Sequence, residues 1–203
     1  FHGARIITCG KEISTDGCRA KISKLMRIIS GKYRGRQLKS PPSAQTRPTS
    51  DRLRETLFNV LAPRIEGARF LDLCAGTGAV GIEALSRGAE HATFVDQSRK
   101  MCSLIESNTS ALGIDEREIE IVNADASDFL RRHANKERGA FDIIFFDPPY
   151  AADYEAVLSF IAEHQQQLLA DEAIVVVEHY KKKDLPDEFG SLKRYRTLKQ
   201  GDS

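Results

Sequence analysis

Asp147-Pro148-Pro149-Tyr150 sets a carboxylate, two rigid proline carbonyls and a flat phenol in four consecutive positions. The two prolines fix φ, carry no N–H and hold the residue before each of them extended, so the turn is stiff and offers acceptors without donors. Ahead of it, five apolar residues among the six from Phe141 to Phe146 read as a strand buried on both faces. Asp147 then falls at the carboxyl end of a parallel strand, where open α/β sheets bind ligands. The chemistry this suits is an amino group on a planar base, with Asp147 and the Pro148 carbonyl accepting its N–H groups and Tyr150 stacking on its ring. The bland alternative is a rigid exit loop with an incidental carboxylate.

A second constellation runs from Asp72 through Ala75-Gly76-Thr77-Gly78 to Gly81. Gly76 and Gly78 permit a tight turn and close approach of backbone to a ligand, and the helix that follows offers free N–H groups. G-x-G-x-x-G alone also fits nicotinamide or flavin dinucleotides. Asp96, closing the next strand, would reach ribose hydroxyls in either case. Two further acids discriminate. Asp72 would repel a pyrophosphate but sit well beside a cation, and Asp125, followed by Ala126 after the third strand, could accept from an adenine amino group. Both suit S-adenosylmethionine, which carries a sulfonium, an ammonium and a carboxylate but no phosphate. Read blandly, Asp72 is a core-edge carboxylate, and Asp96 and Asp125 are helix caps.

The elements needed to hold these groups are legible as an alternation. Strands are expected at 69–73, 92–96, 119–122, 141–146 and 173–177, with helices at 79–86, 98–112, 127–133 and from Tyr154 between them. Alternation of this kind implies an α/β, Rossmann-like, doubly wound and mostly parallel sheet with helices on both faces. A helix capped within residues 49–51 and ended by Pro63 precedes it, and residues 27–30 and 36–39 read as a small hairpin. Residues 192–199 could add an outer strand, after which a last edge strand is expected to be lacking. The domains are thus an extension at 1–25, a basic hairpin arm at 26–48 and the main domain at 49–203. The extension shows no periodicity, precedes a natural start at Met26, and is expected to be loosely ordered and outside the domain.

At 203 residues, 41% hydrophobic and 29% charged, the composition is that of an ordinary globular domain. No apolar run reaches the roughly 18 residues of a membrane span and no secretion signal is evident, so a cytosolic protein is expected. Cys9, Cys18, Cys74 and Cys102 lack zinc or disulfide spacing, and no metal is implied. His133, His164 and His179 read as surface or helix-end residues, and Glu178 as a solvated strand end or a site-lining acid. The net charge of +1 conceals a concentration: Arg27, Lys32, Arg34, Arg36, Lys39, Arg47, Arg52 and Arg54 stand against one acid, Asp51. Such a segment could track a phosphate backbone; otherwise it is a solvated basic arm.

The glycine motif, Asp96, Asp125 and Asp147-Pro148-Pro149-Tyr150, in this order, resemble the class I S-adenosylmethionine-dependent methyltransferases that modify amino groups. Residues 26–36 together with Arg47-Pro48-Thr49-Ser50-Asp51-Arg52-Leu53-Arg54-Glu55-Thr56-Leu57-Phe58-Asn59 narrow the resemblance to the RsmD-type bacterial 16S ribosomal RNA guanine-N2 methyltransferases. The acid-Pro-Pro-Tyr motif is shared with DNA adenine and protein glutamine methyltransferases, so the arm carries the substrate assignment. The resemblance implies Asp147, Pro148 and Tyr150 as catalytic residues. It implies S-adenosylmethionine held by Asp72, Ala75, Gly76, Thr77, Gly78, Asp96, Asp125 and Ala126. Arg27, Lys32, Arg34, Arg36, Arg47 and Arg52 are implied to contact RNA. The expected partner is small-subunit ribosomal RNA or the assembling small subunit, met by a monomer without membrane or metal. Competing readings are a methyltransferase for DNA adenine or a protein amide, a nicotinamide-dependent dehydrogenase, and a non-catalytic RNA-binding module.

Overall fold

The computed structural model describes residues 4–11, 26–41, 51–135, 140–149, 152–180 and 185–199. In chain order they form β1 (Arg5–Lys11), α1 (Asp51–Ile65), β2 (Arg69–Leu73), α2 (Ala79–Ser86), β3 (His91–Asp96), α3 (Arg99–Leu112), β4 (Ile119–Asn123), α4 (Ala126–Ala134), β5 (Phe141–Phe146), α5 (Tyr154–Glu163), α6 (Gln165–Leu168), β6 (Leu169–Tyr180), β7 (Glu188–Phe189) and β8 (Leu192–Lys199). The eight strands make one sheet in the order β4-β3-β2-β5-β6-β1-β8-β7, parallel throughout except where β7 meets β8. This is the α/β, Rossmann-like class that the alternation implies.

The period-2 pleat sorts each strand into two cores. Phe70, Ile143, Phe145 and Val176 join α1, α2 and α3 on one face, while Leu71, Ile144, Phe146 and Val177 join α4, α5 and α6 on the other. Between β2 and β5 the winding reverses direction, which opens the crevice where doubly wound sheets take ligands.

Residues 4–11 correct the expectation of a loose extension for the part of it that is described. β1 lies inside the sheet, parallel to β6 and β8, with Ile6 in one core and Ile7 and Cys9 in the other. Its partners come from the far end of the chain, so no local pattern announces it. α1 does not stop at Pro63 but runs two residues past it. Pro63 sits in the last turn, where the one carbonyl it leaves unbonded, that of exposed Asn59, is open to water. β6 is longer than the expected 173–177: Leu169 pairs with Phe141 at its start, and Glu178, His179 and Tyr180 pair with β1 at its end. His133 is the helix-end residue expected, in the last turn of α4, but it is not on the surface; its ring packs in the core against Phe141 at 4.8 Å and Phe129 at 5.4 Å. Glu178, likewise, is buried rather than solvated. Among the described residues no helix is long and apolar enough to cross a membrane.

The basic arm, residues 26–41, folds as the expected small hairpin, with an antiparallel bridge from Arg27 to Gln37 and mutual support from Leu38 N to the Met26 carbonyl at 2.8 Å. It lies on α2 and α3 rather than on the sheet.

Candidate active site and its basic arm

Register alone gathers the acids. Leu73 pairs with Val95 on one side and Phe146 on the other, and Asp96 pairs with Asn123, so β2, β3, β4 and β5 end together. Asp72, Asp96, Asp125 and Asp147 therefore stand along one sheet edge. All four act on Cys74, which follows β2 in the left-handed region at φ 64°. Burial, then Asp96, Asp147, Asp72 and Asp125, push its thiol up to about 12, so it is no nucleophile at neutral pH.

The backbone holds three of the four carboxylates, those of Asp72, Asp96 and Asp125. Asp72 is fully buried and its Oδ2 accepts from Gly81 N at 3.0 Å. Burial raises its pKa to about 8, with Asp147 and Asp96 adding to the rise and the Gly81 N–H opposing it. Asp96 accepts from Gly76 N and from Ser98 N, each at 2.8 Å and on separate oxygens, so it holds the glycine turn as well as the start of α3. Asp125 caps α4: its Oδ1 accepts from Ser127 N at 2.8 Å and Asp128 N at 3.4 Å, leaving Oδ2 without a donor among the described residues. The cap role and an outward oxygen coexist. Ala126 opens α4 and is buried.

In the turn, Ala75 N donates to the Val95 carbonyl and Gly78 N to the Ala75 carbonyl, at 3.0 and 2.8 Å. Gly78 has φ 75°, and a Cβ on Gly81 would come within 2.3 Å of the Phe94 ring, so both glycines are required by geometry. Across the crevice, Asp147 N reaches the Leu73 carbonyl at 3.4 Å, Asp147 is half-buried and Pro148 buried. Tyr150 and Arg47 lie outside the described residues.

The arm is held by its backbone. Ile29 N and Ser30 N donate to the two oxygens of Glu83 at 2.8 and 3.0 Å, Lys32 N to the Ser86 carbonyl at 2.7 Å, Tyr33 N to Ser86 Oγ at 2.9 Å, and Lys39 N to Asn108 Oδ1 at 2.8 Å. Gly31, at φ 82°, comes so close that a Cβ there would lie 1.7 Å from the Ser86 carbonyl oxygen. Arg27, Lys32, Arg34, Arg36 and Arg52 are left exposed, although Arg36 also donates to the Ala111 carbonyl at 2.9 Å. Arg54 departs from this set. It is fully buried, its Nη2 donating to the Arg27 carbonyl and to Asp51, both at 2.8 Å, so it braces the arm and cannot meet a phosphate.

Glu83, Ser86 and Asn108 escaped sequence reasoning, although polar residues on otherwise apolar helix faces are a visible signal. A cavity of about 450 Å³ opens at the opposite sheet edge among Arg69, His91, Arg117 and Glu120. Its charges are mixed in sign, and it is remote in register from the four acids.

Comparison with known proteins follows the same lines. The family model described as Conserved hypothetical protein 95 matches residues 26–203. The chain is 41% identical to a putative rRNA methyltransferase, YlbH, of Bacillus subtilis, over 82% of this chain and 89% of that one. To ribosomal RNA small subunit methyltransferase D of Haemophilus influenzae it is 35% identical over 92% and 94%. A solved structure of the putative methyltransferase yhhF from Escherichia coli superposes with a TM-score of 0.69 at 39% identity, covering 80% of this chain and 84% of that one.

Proposed function

Because the chain belongs to the family described as Conserved hypothetical protein 95, whose relatives include small-subunit rRNA methyltransferases, we propose that it methylates the exocyclic N2 amine of a guanine in small-subunit ribosomal RNA, using S-adenosylmethionine. The observation that carries this reading is the placement of Asp147 and buried Pro148 at the winding reversal, facing three further carboxylates around Cys74.

The residues suit the cofactor. Asp96, Asp125 and Asp147 at one edge oppose a pyrophosphate, and Asp72, which ionises most readily beside a cation, adds to the preference for a cationic ligand over a dinucleotide. Asp72 would hold the cationic part, the Ala75–Gly78 turn would lie against the cofactor through its backbone, Asp96 would accept from ribose hydroxyls on its remaining lone pairs, and Asp125 with Ala126 would meet the adenine. When bound, the cofactor supplies an electrophilic methyl on a sulfonium.

The chain's own task is orientation. A guanine amine is a poor nucleophile, because its lone pair is delocalised into the ring. Asp147 and the Pro148 carbonyl, each accepting one amine N–H, favour a pyramidal nitrogen with its lone pair directed at the methyl. Transfer of the methyl to this nitrogen would break the S–C bond, return its electron pair to sulfur as a neutral thioether and move the positive charge to nitrogen, where Asp147 would stabilise it until the surplus proton is lost to water. Tyr150 is assigned to stack on the unstacked base. Arg27, Lys32, Arg34, Arg36 and Arg52, with Arg47, are assigned to phosphates.

Labelled methyl transfer to small-subunit rRNA, intact small subunits, DNA and protein, followed by nucleoside analysis, tests the assignment. N2-methylguanosine from RNA or particles is expected. Label in DNA adenine or protein amide, or no transfer to any RNA, overturns it.

A further inference from the structure

Both ends of the hairpin arm meet a single residue of the glycine turn. Thr77 Oγ1 donates to the sulfur of Met26, where the arm begins, at 3.3 Å. The Thr77 carbonyl accepts at 3.1 Å from Asn108 Nδ2, which also donates to the carbonyl of Lys39, near the arm's other end, at 3.2 Å. Asn108 Oδ1 in turn accepts from the Lys39 N–H at 2.8 Å. With Lys39, then, the amide forms the paired N–H and C=O contacts that a neighbouring strand would form, and it spends its second N–H on the turn.

Asn108 is buried in α3, one turn from Ile105 and Leu112, which both enter the core. An amide is unfavourable in a helix interior and costly to bury unless its hydrogen bonds are made. Here both amide hydrogens and the oxygen are used, and all three bonds join segments distant in sequence. An apolar residue would serve the packing equally well but would join nothing.

We infer that Asn108 is a positioning residue that couples the basic arm to the glycine turn, so that a ligand on the turn firms the arm and RNA on the arm firms the turn. The identity of the two ligands rests on the methyltransferase reading; the link itself rests on the hydrogen bonds. Coupling between two sites is reciprocal, so either direction measures it.

The experiment compares wild type, Asn108→Ala and Asn108→Asp by two readouts. Calorimetry gives S-adenosylhomocysteine affinity with and without saturating transcribed small-subunit rRNA, and hydrogen exchange follows the Lys39 amide with and without S-adenosylhomocysteine. In wild type, RNA is expected to tighten S-adenosylhomocysteine binding by roughly fivefold or more, the lower range of measured couplings, and S-adenosylhomocysteine is expected to slow Lys39 exchange. In Asn108→Ala the affinity ratio falls to about one and Lys39 exchange no longer responds to the ligand. A brace that merely stabilises the fold would change absolute affinity but not that ratio. Asn108→Asp retains an acceptor for the Lys39 N–H but sets an oxygen against both the Thr77 and the Lys39 carbonyls, so it keeps the Lys39 N–H bonded, and with it basal Lys39 protection, and loses the response. Should Asn108→Ala fail to fold, Asn108→Asp decides on the same readouts. An unchanged ratio in the folded variant, or a wild-type Lys39 amide indifferent to S-adenosylhomocysteine, overturns the inference. Wild type that binds no RNA, yet still slows Lys39 exchange through Asn108, overturns the RNA reading and leaves the link standing.

Discussion

The acidic crevice and the basic arm solve opposite problems of hydrogen bonding. In the crevice the side chains are fixed and the backbone does the fixing: Gly81, Gly76, Ser98 and Ser127 each aim an N–H at a carboxylate. In the arm the backbone is fixed, by Glu83, Ser86 and Asn108, while Lys32 and Arg34 project into solvent. Orientation of a reacting amine tolerates little displacement, whereas attraction to a phosphate tolerates a great deal. A backbone-held path carrying exposed charges suits a polyanion whose shape varies, and backbone-held carboxylates suit one small group.

The sharpest way to break this contrast is to release the arm. Glu83 is buried and accepts from Ile29, Ser30 and Arg87, the last through Nε at 2.7 Å. Glu83→Ala leaves Arg87 without its partner beside buried Arg54, and is expected to cost about 3–5 kcal/mol. That corresponds to a fall of roughly 6–20 °C in the thermal midpoint, read by calorimetry. A shift within about a degree would show that the arm needs no anchor.

Next comes Asp147, the group assigned to chemistry rather than to binding. Asp147→Ala is expected to slow single-turnover methylation about 10- to 150-fold, or roughly 1.5–3 kcal/mol, with S-adenosylmethionine affinity preserved. Asp147→Asn separates charge from geometry: a rate like that of Ala assigns the effect to charge, and substantial activity assigns it to geometry. Near-wild-type rates in both variants would remove Asp147 from the mechanism.

The fixed carboxylates also carry a pH signature. Asp72, raised to about 8, is protonated at neutral pH in the ligand-free crevice, and a cationic ligand favours its ionised form. Binding therefore expels a proton below about pH 8, so affinity for S-adenosylmethionine should rise with pH up to that point, by at most about tenfold per unit, and then level. Stability of the ligand-free protein runs the other way. A folded pKa above the unfolded one favours the fold at low pH, and that advantage is lost as pH rises through about 8. Calorimetry across this range, in buffers of different ionisation enthalpy, counts the proton; no release would assign Asp72 a neutral role.

The smallest effect tests the exposed charges. Replacing Lys32 and Arg34 together with Ala should lower the logarithmic salt slope of RNA binding by roughly 0.7–0.9 per lost phosphate contact. Fluorescence titration at several salt concentrations measures it, and an unchanged slope would make the arm a solvated surface.

Legibility in the sequence follows the range of the interactions. Strands β2 to β5 and the turns that follow them are written in consecutive residues, so alternation, glycines and prolines reveal them. The convergence of Asp72, Asp96, Asp125 and Asp147 also follows from the winding order alone. What stayed hidden depends on partners far along the chain. Arg54 reads as one more basic residue until α1 is seen to bury it against the Arg27 carbonyl. Asp96 reads as a ribose ligand, and nothing local says that it also holds Gly76. β1 is the extreme case, a short strand whose neighbours are β6 and β8.

That placement bears on how the molecule is assembled. Arg5 pairs with Ile174 and with Lys193, among the most non-local contacts the chain can make, and such contacts require a large loop to close before any pairing rewards it. β1 is synthesised ahead of the other described elements, yet the slot that receives it does not exist until β6 and β8 have followed. Until then its apolar residues Ile6 and Ile7 lack their eventual neighbours, in the condition that invites capture by a chaperone or by another chain. A strand made before its neighbours is thus among the last that can dock, and its arrival, more than collapse of β2 to β5, is expected to set the slow phase of folding.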